Sequence, residues 1–215
     1  MSHLARGVLI ALEGIDGSGK STLAKNLANF FQQKTVPVVL TKEPGGTLLG
    51  KRLRTVLQEK KFPVSPKAEY LLFAADRAQH MQELIQPSLE KNMMIISDRM
   101  GDSAVAYQGY GRGLDINLIK TINAWAMNTI KPHLTLYVKV DVTTALNRII
   151  ARNEKPTSFE QEKKNFFQRV IDGFDTMYAH RDDVIIIDGQ QSQEHVTSQA
   201  VEKVTSWLKN NQYLN

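Results

Sequence analysis

The sequence predicts an α/β fold: a five-stranded parallel sheet covered on both faces by helices. Three observations predict it. Short, nearly continuous apolar runs recur along the chain, as strands buried on both faces require. Between them lie stretches long enough for crossover helices, some with apolar residues at helical spacing. A glycine-rich segment joins the first apolar run to the first helical pattern. At 215 residues the chain is ample for one core and short for two, so a single domain over 1–215 is expected.

The elements follow in order. Gly7–Leu12 reads as the first strand. Ser21–Lys34 reads as a helix that gathers Leu23, Leu27, Phe30 and Phe31 on one face. Pro37–Thr41, Met93–Ser97, Leu134–Val140 and Val184–Asp188 supply the remaining strands, and Gln193–Lys209 the closing helix. Crossovers between parallel strands are right-handed. Lys155-Pro156-Thr157-Ser158 reads as an exposed loop tip.

Composition removes several classes of function. At 42% hydrophobic and 23% charged the chain is an ordinary globular one, not a disordered one. It has no cysteine, which rules out disulfides and thiolate metal sites and fits a reducing compartment. The five histidines are scattered, without the close helical pair of a zinc site. The first apolar run is too short to span a bilayer and no leader is visible, so a cytoplasmic protein without a membrane partner is expected. A net charge of +5 admits nucleic acid, acidic lipid or phosphorylated small molecules as partners. The cations come in small groups (Lys51-Arg52 with Arg54, Lys60-Lys61, Lys163-Lys164) without interleaved aromatics, so no nucleic-acid partner is expected.

The strongest signal is Gly14-Ile15-Asp16-Gly17-Ser18-Gly19-Lys20-Ser21, which matches G-x-x-x-x-G-K-[ST] directly after a strand and directly before a helix. Glycines let backbone N–H groups converge on phosphates, and the helix N-terminus adds partial positive charge. Lys20 can reach the β- and γ-phosphates, and the Ser21 hydroxyl can ligate Mg²⁺. Residues 14–21 with Thr22 are therefore the expected ATP site, in a P-loop NTPase-type three-layer fold. No guanine-reading Asn-Lys-x-Asp occurs, and motors or helicases are usually larger, which leaves small-molecule kinases as the leading class.

Three further segments point to an acceptor. Lys42-Glu43-Pro44-Gly45-Gly46-Thr47 ends the second strand, where ligands gather in open α/β sheets, and precedes Lys51, Arg52 and Arg54. A basic helix there can hold an acceptor phosphate, although Lys51 and Arg52 read as a solvated face. Phe73 and Arg77 are four apart and share a helix face suited to a planar base; taken alone, Phe73 reads as core. Ser97-Asp98-Arg99 ends the third strand. Asp98 stands where P-loop enzymes place the second support for Mg²⁺, and Arg99 can bridge donor and acceptor phosphates.

With Ala106-Tyr107-Gln108-Gly109-Tyr110-Gly111-Arg112-Gly113 and Lys131-Pro132-His133-Leu134-Thr135-Leu136-Tyr137, these segments make the chain similar to the bacterial thymidylate kinases over almost its whole length. The resemblance implies transfer of the ATP γ-phosphoryl group to dTMP, a step of dTTP synthesis. It implies Mg²⁺ with ATP, a homodimer built on helix packing, and a lid at about 148–160. It gives Asp16 to the acceptor sugar and phosphates, Arg54 and Arg99 to the acceptor phosphate, Phe73 to stacking on thymine, Arg77 to the base carbonyl and Gln108 to the base edge. The expected catalytic set is Lys20, Arg99, Asp16 and a lid cation. Other pyrimidine monophosphates (dUMP, UMP, CMP) remain alternative acceptors, and a non-catalytic P-loop regulator remains an alternative class.

Four positions depart from the family pattern. Ala104 stands where many members carry Ser or Thr, Met100 where Tyr or His is usual, and Lys42 where Arg is usual. In the lid, Ser158 precedes the hydrophobic-acidic pair Phe159-Glu160 where an arginine is usual. Arg152 is therefore expected to supply the lid charge, with Lys155 second, and Arg148 to lie nearer the adenine.

Overall fold

A computed structural model describes residues 4–58, 63–152, 157, 159, 160 and 162–214. Five parallel strands, β1 (Val8–Glu13), β2 (Val38–Lys42), β3 (Met94–Asp98), β4 (Leu134–Lys139) and β5 (Val184–Asp188), form one sheet in the order β2-β3-β1-β4-β5. β1 pairs with β3 on one side and β4 on the other, Ile10 facing Ile96 and Leu134. The chain thus winds outward in both directions from β1, and the crevice beyond its carboxyl end is where such sheets bind ligands.

Strand alternation divides the core. Val8, Ile10 and Leu12 of β1 pack with Leu23, Leu27 and Phe31 of α1 (Lys20–Gln33) and with Val196, Ala200, Val204 and Leu208 of α9 (Gln193–Asn210). Leu9 and Ala11 point to the opposite face, with Met81, Ile85, Met100 and Met127. Tyr137 of β4 joins Phe166, Phe167, Val170 and Phe174 of α8 (Lys164–Tyr178) in a further cluster. β1 is buried throughout, as a central strand covered on both faces must be.

The five expected strands and the first and last helices are present, with ends displaced by about one residue. Helical periodicity did not foretell two π-helical stretches. α3 (Pro66–His80) runs through one at Met81–Ile85 into α4 (Gln86–Glu90). α5 (Gly101–Ala104) runs into the other at Val105–Gly111, where the Arg112 amide bonds Tyr107 O five residues back at 2.9 Å. Such stretches concentrate at functional sites because they change which side chains share a face. The remaining helices are α2 (Leu48–Gln58), α6 (Ile116–Ala126) and α7 (Val142–Ala151). No described helix is long and apolar enough to cross a membrane.

Candidate active site

The loop after β1 is shaped by close approach. Gly14 has φ 143°, and a Cβ there would lie 2.5 Å from Val138 O; Gly17 has φ 81°, and a Cβ would lie 2.4 Å from Ala145 O. Only glycine fits either position. Lys20, at the start of α1, is buried and folds back to donate to Ile15 O at 2.7 Å and Ser18 Oγ at 3.3 Å. Burial, then the neighbouring Arg99 charge, hold its ammonium down at about 8.

Arg99 follows β3 in the left-handed region, φ 76°. For a long side chain this is a costly conformation, concentrated at functional sites. It is held because the Arg99 amide donates to Leu12 O at 3.0 Å and the Ser97 hydroxyl donates to Arg99 O at 2.7 Å. The turn aims the guanidinium back at the phosphate loop. Nη1 donates to Gly14 O and Ser103 Oγ, both at 2.9 Å; Nη2 donates to Asp16 Oδ1 at 2.8 Å and Tyr107 OH at 3.1 Å. The Tyr107 hydroxyl donates to Asp16 Oδ2 at 2.8 Å and accepts from the Asp16 amide at 3.0 Å. Burial opposes ionisation of Asp16, but Arg99, Lys20 and the Tyr107 hydrogen bond outweigh it and bring the carboxyl down to about 2. Asp16 and Arg99 form a standing ion pair across the site.

The Ser21 hydroxyl donates to Asp98 Oδ2. Asp98 Oδ1 is buried with no hydrogen-bond partner among the described residues. A buried, unsatisfied carboxylate oxygen beside a hydroxyl is an all-oxygen donor pair that suits a hard divalent ion such as Mg²⁺, which needs few protein ligands and keeps its waters. Among the described residues no group of three or more His, Asp or Glu forms a protein metal cage.

The acceptor candidates lie in the same cleft, of about 870 Å³, which the phosphate loop, Arg54, Phe73, Arg77, Asp98, Arg99, Gln108, Arg148 and Arg152 all line. Arg54 of α2 is half-buried and donates to Pro44 O at 3.0 Å, across a turn that begins with the cis Glu43–Pro44 peptide. Arg77 is 2% exposed. It reaches the cleft wall but is held from behind, Nε on Glu43 Oε2 at 2.9 Å and Nη1 on Asn123 Oδ1 at 2.7 Å. Glu43 also meets His80 Nδ1 at 3.0 Å, and His80 Nε2 meets Thr41 Oγ1 at 2.7 Å. Burial opposes ionisation of Glu43, yet Arg77 and His80 hold its carboxyl below the usual range. Phe73 is half-buried, and its ring lies 5.8 Å from that of Phe159. Gln108 Nε2 donates to Glu69 Oε1 at 2.9 Å.

The lid candidates separate. Arg148 of α7 donates to Gly189 O at 2.8 Å and to Ser18 O at 3.5 Å, joining the loop after β5 to the phosphate loop. Arg152 pairs with Glu160, which also accepts from the Thr157 amide at 2.8 Å. Lys155 and Ser158 lie outside the described residues, as do Lys60 and Lys61.

Sequence reasoning missed several participants. No role for Tyr107 follows from the sequence; it lies with Gln108 in the π-helical stretch, and both line the cleft. Glu13 is buried and accepts from the Met100 amide at 2.8 Å and the Ser103 amide at 3.3 Å, capping α5. Its side chain follows an apolar run directly, the one signal that it was anchored. The Ser103 hydroxyl is committed to Glu13 and receives Arg99, so it does not replace a base-reading hydroxyl at Ala104. Met100, unusual by its side chain, is core, and serves the site through its backbone.

A phosphate loop at the centre of this sheet order, a hydrogen-bonded Ser21–Asp98 pair beside it and a cation-lined cleft continuing from it define a P-loop nucleotide phosphotransferase. A family model described as thymidylate kinase matches residues 12–200. The chain is 42% identical over 191 residues to a thymidylate kinase of Carboxydothermus hydrogenoformans, covering 89% of this chain and 93% of that one. It is 41% identical to a thymidylate kinase of Halothermothrix orenii (94% and 99% covered) and 40% identical to one of Kosmotoga olearia (94% and 97%). The chain belongs to the thymidylate kinase family.

Proposed function

We propose that this protein transfers the γ-phosphoryl group of ATP to dTMP, giving dTDP and ADP. The observation that carries the reading is the reach of Arg99. It is bonded to Gly14 O and Asp16 in the donor loop, and it lines one cleft with Arg54, Phe73, Arg77 and Gln108. A guanidinium there contacts both the phosphoryl group in flight and the phosphate that receives it.

The acceptor phosphate is already an anion, so no general base is needed; alignment and charge compensation carry the rate. Lys20 meets the β- and γ-phosphates. Arg54 and Arg99 grip the acceptor phosphate, and Asp16 holds Arg99 in register while facing the acceptor sugar. Phe73 stacks on the base, whose edge Arg77 and Gln108 read. Ser21 and Asp98 would hold Mg²⁺, which would supply charge neutralisation to the phosphates. Arg148 borders the adenine, and Arg152 supplies the lid cation toward the transferring phosphoryl group. The reaction is assigned to the cytoplasm, where its phosphorylated substrates are retained.

The working form is a homodimer. Leu48 of α2, Leu71 of α3, and Leu118 and Trp125 of α6 are 72, 56, 57 and 78% exposed. α3 packs beside both α2 and α6, so adjacent helices each carry exposed apolar side chains, which a second copy would cover.

The test is ADP release with ATP and Mg²⁺ for dTMP, dUMP, UMP, CMP and AMP. The expected result is a clear preference for dTMP in kcat/KM. A preference for another acceptor would sink the thymine pocket but keep the kinase. No acceptor-dependent turnover would favour the regulator.

A further inference from the structure

A side-chain amide can read a base edge either way round, by its carbonyl or by its NH₂. In this cleft the choice has been made. Gln108 is 2% exposed, and its Nε2 donates to Glu69 Oε1 at 2.9 Å. A carboxylate only accepts, so the amide nitrogen has to face Glu69 and the carbonyl oxygen points away from it, on the residue's cleft-lining side chain. Glu69 is buried in the first turn of α3 and is itself held. Arg112, just past the π-helical stretch that carries Gln108, donates Nε to Glu69 Oε1 at 3.4 Å and Nη2 to Oε2 at 3.3 Å. Its Nη1 donates to Glu162 at 2.8 Å.

The second reader has the opposite polarity. Arg77 only donates. Nε and Nη1 are taken by Glu43 and Asn123, while Nη2 makes a long 3.5 Å contact with Met100 O. Ala104 adds no polar side chain to the wall, and the Ser103 hydroxyl is already engaged. The wall therefore presents guanidinium N–H donors, from Arg77, and a carbonyl acceptor, from Gln108.

We propose that Glu69 is a positioning residue that sets base specificity. By holding the Gln108 amide with its carbonyl inward, it selects acceptors whose base presents a carbonyl beside a ring N–H over those presenting an amino group beside a bare ring nitrogen. This rests on the reading that Arg77 and Gln108 face the acceptor base. A 4-oxo-pyrimidine satisfies both groups. A 4-amino-pyrimidine sets donor against donor and lone pair against lone pair, and leaves buried polar groups unpaired.

The test is kcat/KM for dTMP and for dCMP in the wild type, Glu69→Gln and Gln108→Leu. A glutamine at 69 can donate as well as accept, so Gln108 is free to turn over. The expected result for Glu69→Gln is a fall of about tenfold in the dTMP-to-dCMP ratio, carried mainly by KM, with KM for ATP unchanged. A merely structural role would depress both acceptors alike and leave the ratio in place, which overturns the proposal. If Gln108→Leu leaves the ratio intact, Gln108 does not read the base, and the underlying reading falls with the proposal. If Gln108→Leu collapses the ratio while Glu69→Gln preserves it, the proposal alone falls. Should Glu69→Gln fail to fold with Arg112 left only its Glu162 partner, the double variant Glu69→Gln/Arg112→Gln removes both charges of the Glu69–Arg112 pair and is read in the same way.

Discussion

Replacing Glu13 by glutamine tests how the end of β1 is coupled to the site. Glu13 is fully buried and accepts hydrogen bonds from the Met100 and Ser103 amides and the Ser103 hydroxyl. Burial, then the charge of Asp102, push its carboxyl from the ordinary 4.5 up to about 7, although Ser103, Arg99 and Met100 pull the other way. Between those two values the folded protein keeps a proton that the unfolded chain has released. Stability therefore falls as pH rises through that window and levels off above it. At about 1.4 kcal/mol per pH unit of separation, the loss is on the order of 3 kcal/mol. Glu13→Gln keeps the shape and one carbonyl acceptor but has no proton to lose. Asp76, pushed up to about 6 by burial and then by Glu43, adds a slope of the same sign that both proteins share and that cancels in the difference. The assay is urea unfolding of both at pH 4.5, 5.5, 6.5 and 7.5, followed by tryptophan fluorescence. The variant is expected to gain about 3 kcal/mol on the wild type from the lowest pH to the highest. Parallel profiles would refute a Glu13 that folds protonated.

Other consequences follow from the same geometry. Lys20 is held at about 8 by burial and then by Arg99, so ATP affinity of the free enzyme should fall above pH 8, approaching about tenfold per pH unit; a dissociation constant flat from pH 7 to 10 contradicts this. Arg152→Ala should lower kcat at least about tenfold if its cation serves the transferring phosphoryl group, and turnover within a few-fold of wild type removes Arg152 from the mechanism. Gly50→Ala would set a Cβ 2.2 Å from Asp76 Oδ1, the oxygen that receives the Gly45 amide; overpacking of about 1–3 kcal/mol and a raised KM for dTMP are expected, and an unchanged Tm argues against so tight a fit. Trp125→Glu places a charge on the exposed apolar face of α6 and should yield monomers in sedimentation velocity, whereas an unaltered oligomer moves the interface elsewhere.

The sequence by itself determined the scaffold and the phosphate-loop motif. Strands buried on both faces need continuous apolar runs, and a phosphate cradle needs glycines, a lysine and a hydroxyl at fixed spacing before a helix. Both requirements are local, so the first strand (read as Gly7–Leu12), Gly14–Ser21 and the Asp98-Arg99 pair could be read directly. The acceptor wall was read only in part. Arg77 and Gln108 were named, but what holds them is remote in sequence: Glu43 lies 34 residues from Arg77, Asn123 46 residues, and Glu69 39 residues from Gln108. Tyr107 carried no signal because its role comes from Asp16, which the fold brings to it from 91 residues away. Polarity was hidden too. Which end of the Gln108 amide meets the cleft, and which guanidinium nitrogens of Arg77 are already engaged, are settled by buried partners converging from α3, α6 and the turn after β2. Tertiary structure decided these because desolvation forces every buried polar atom to find its complement wherever the fold brings one near.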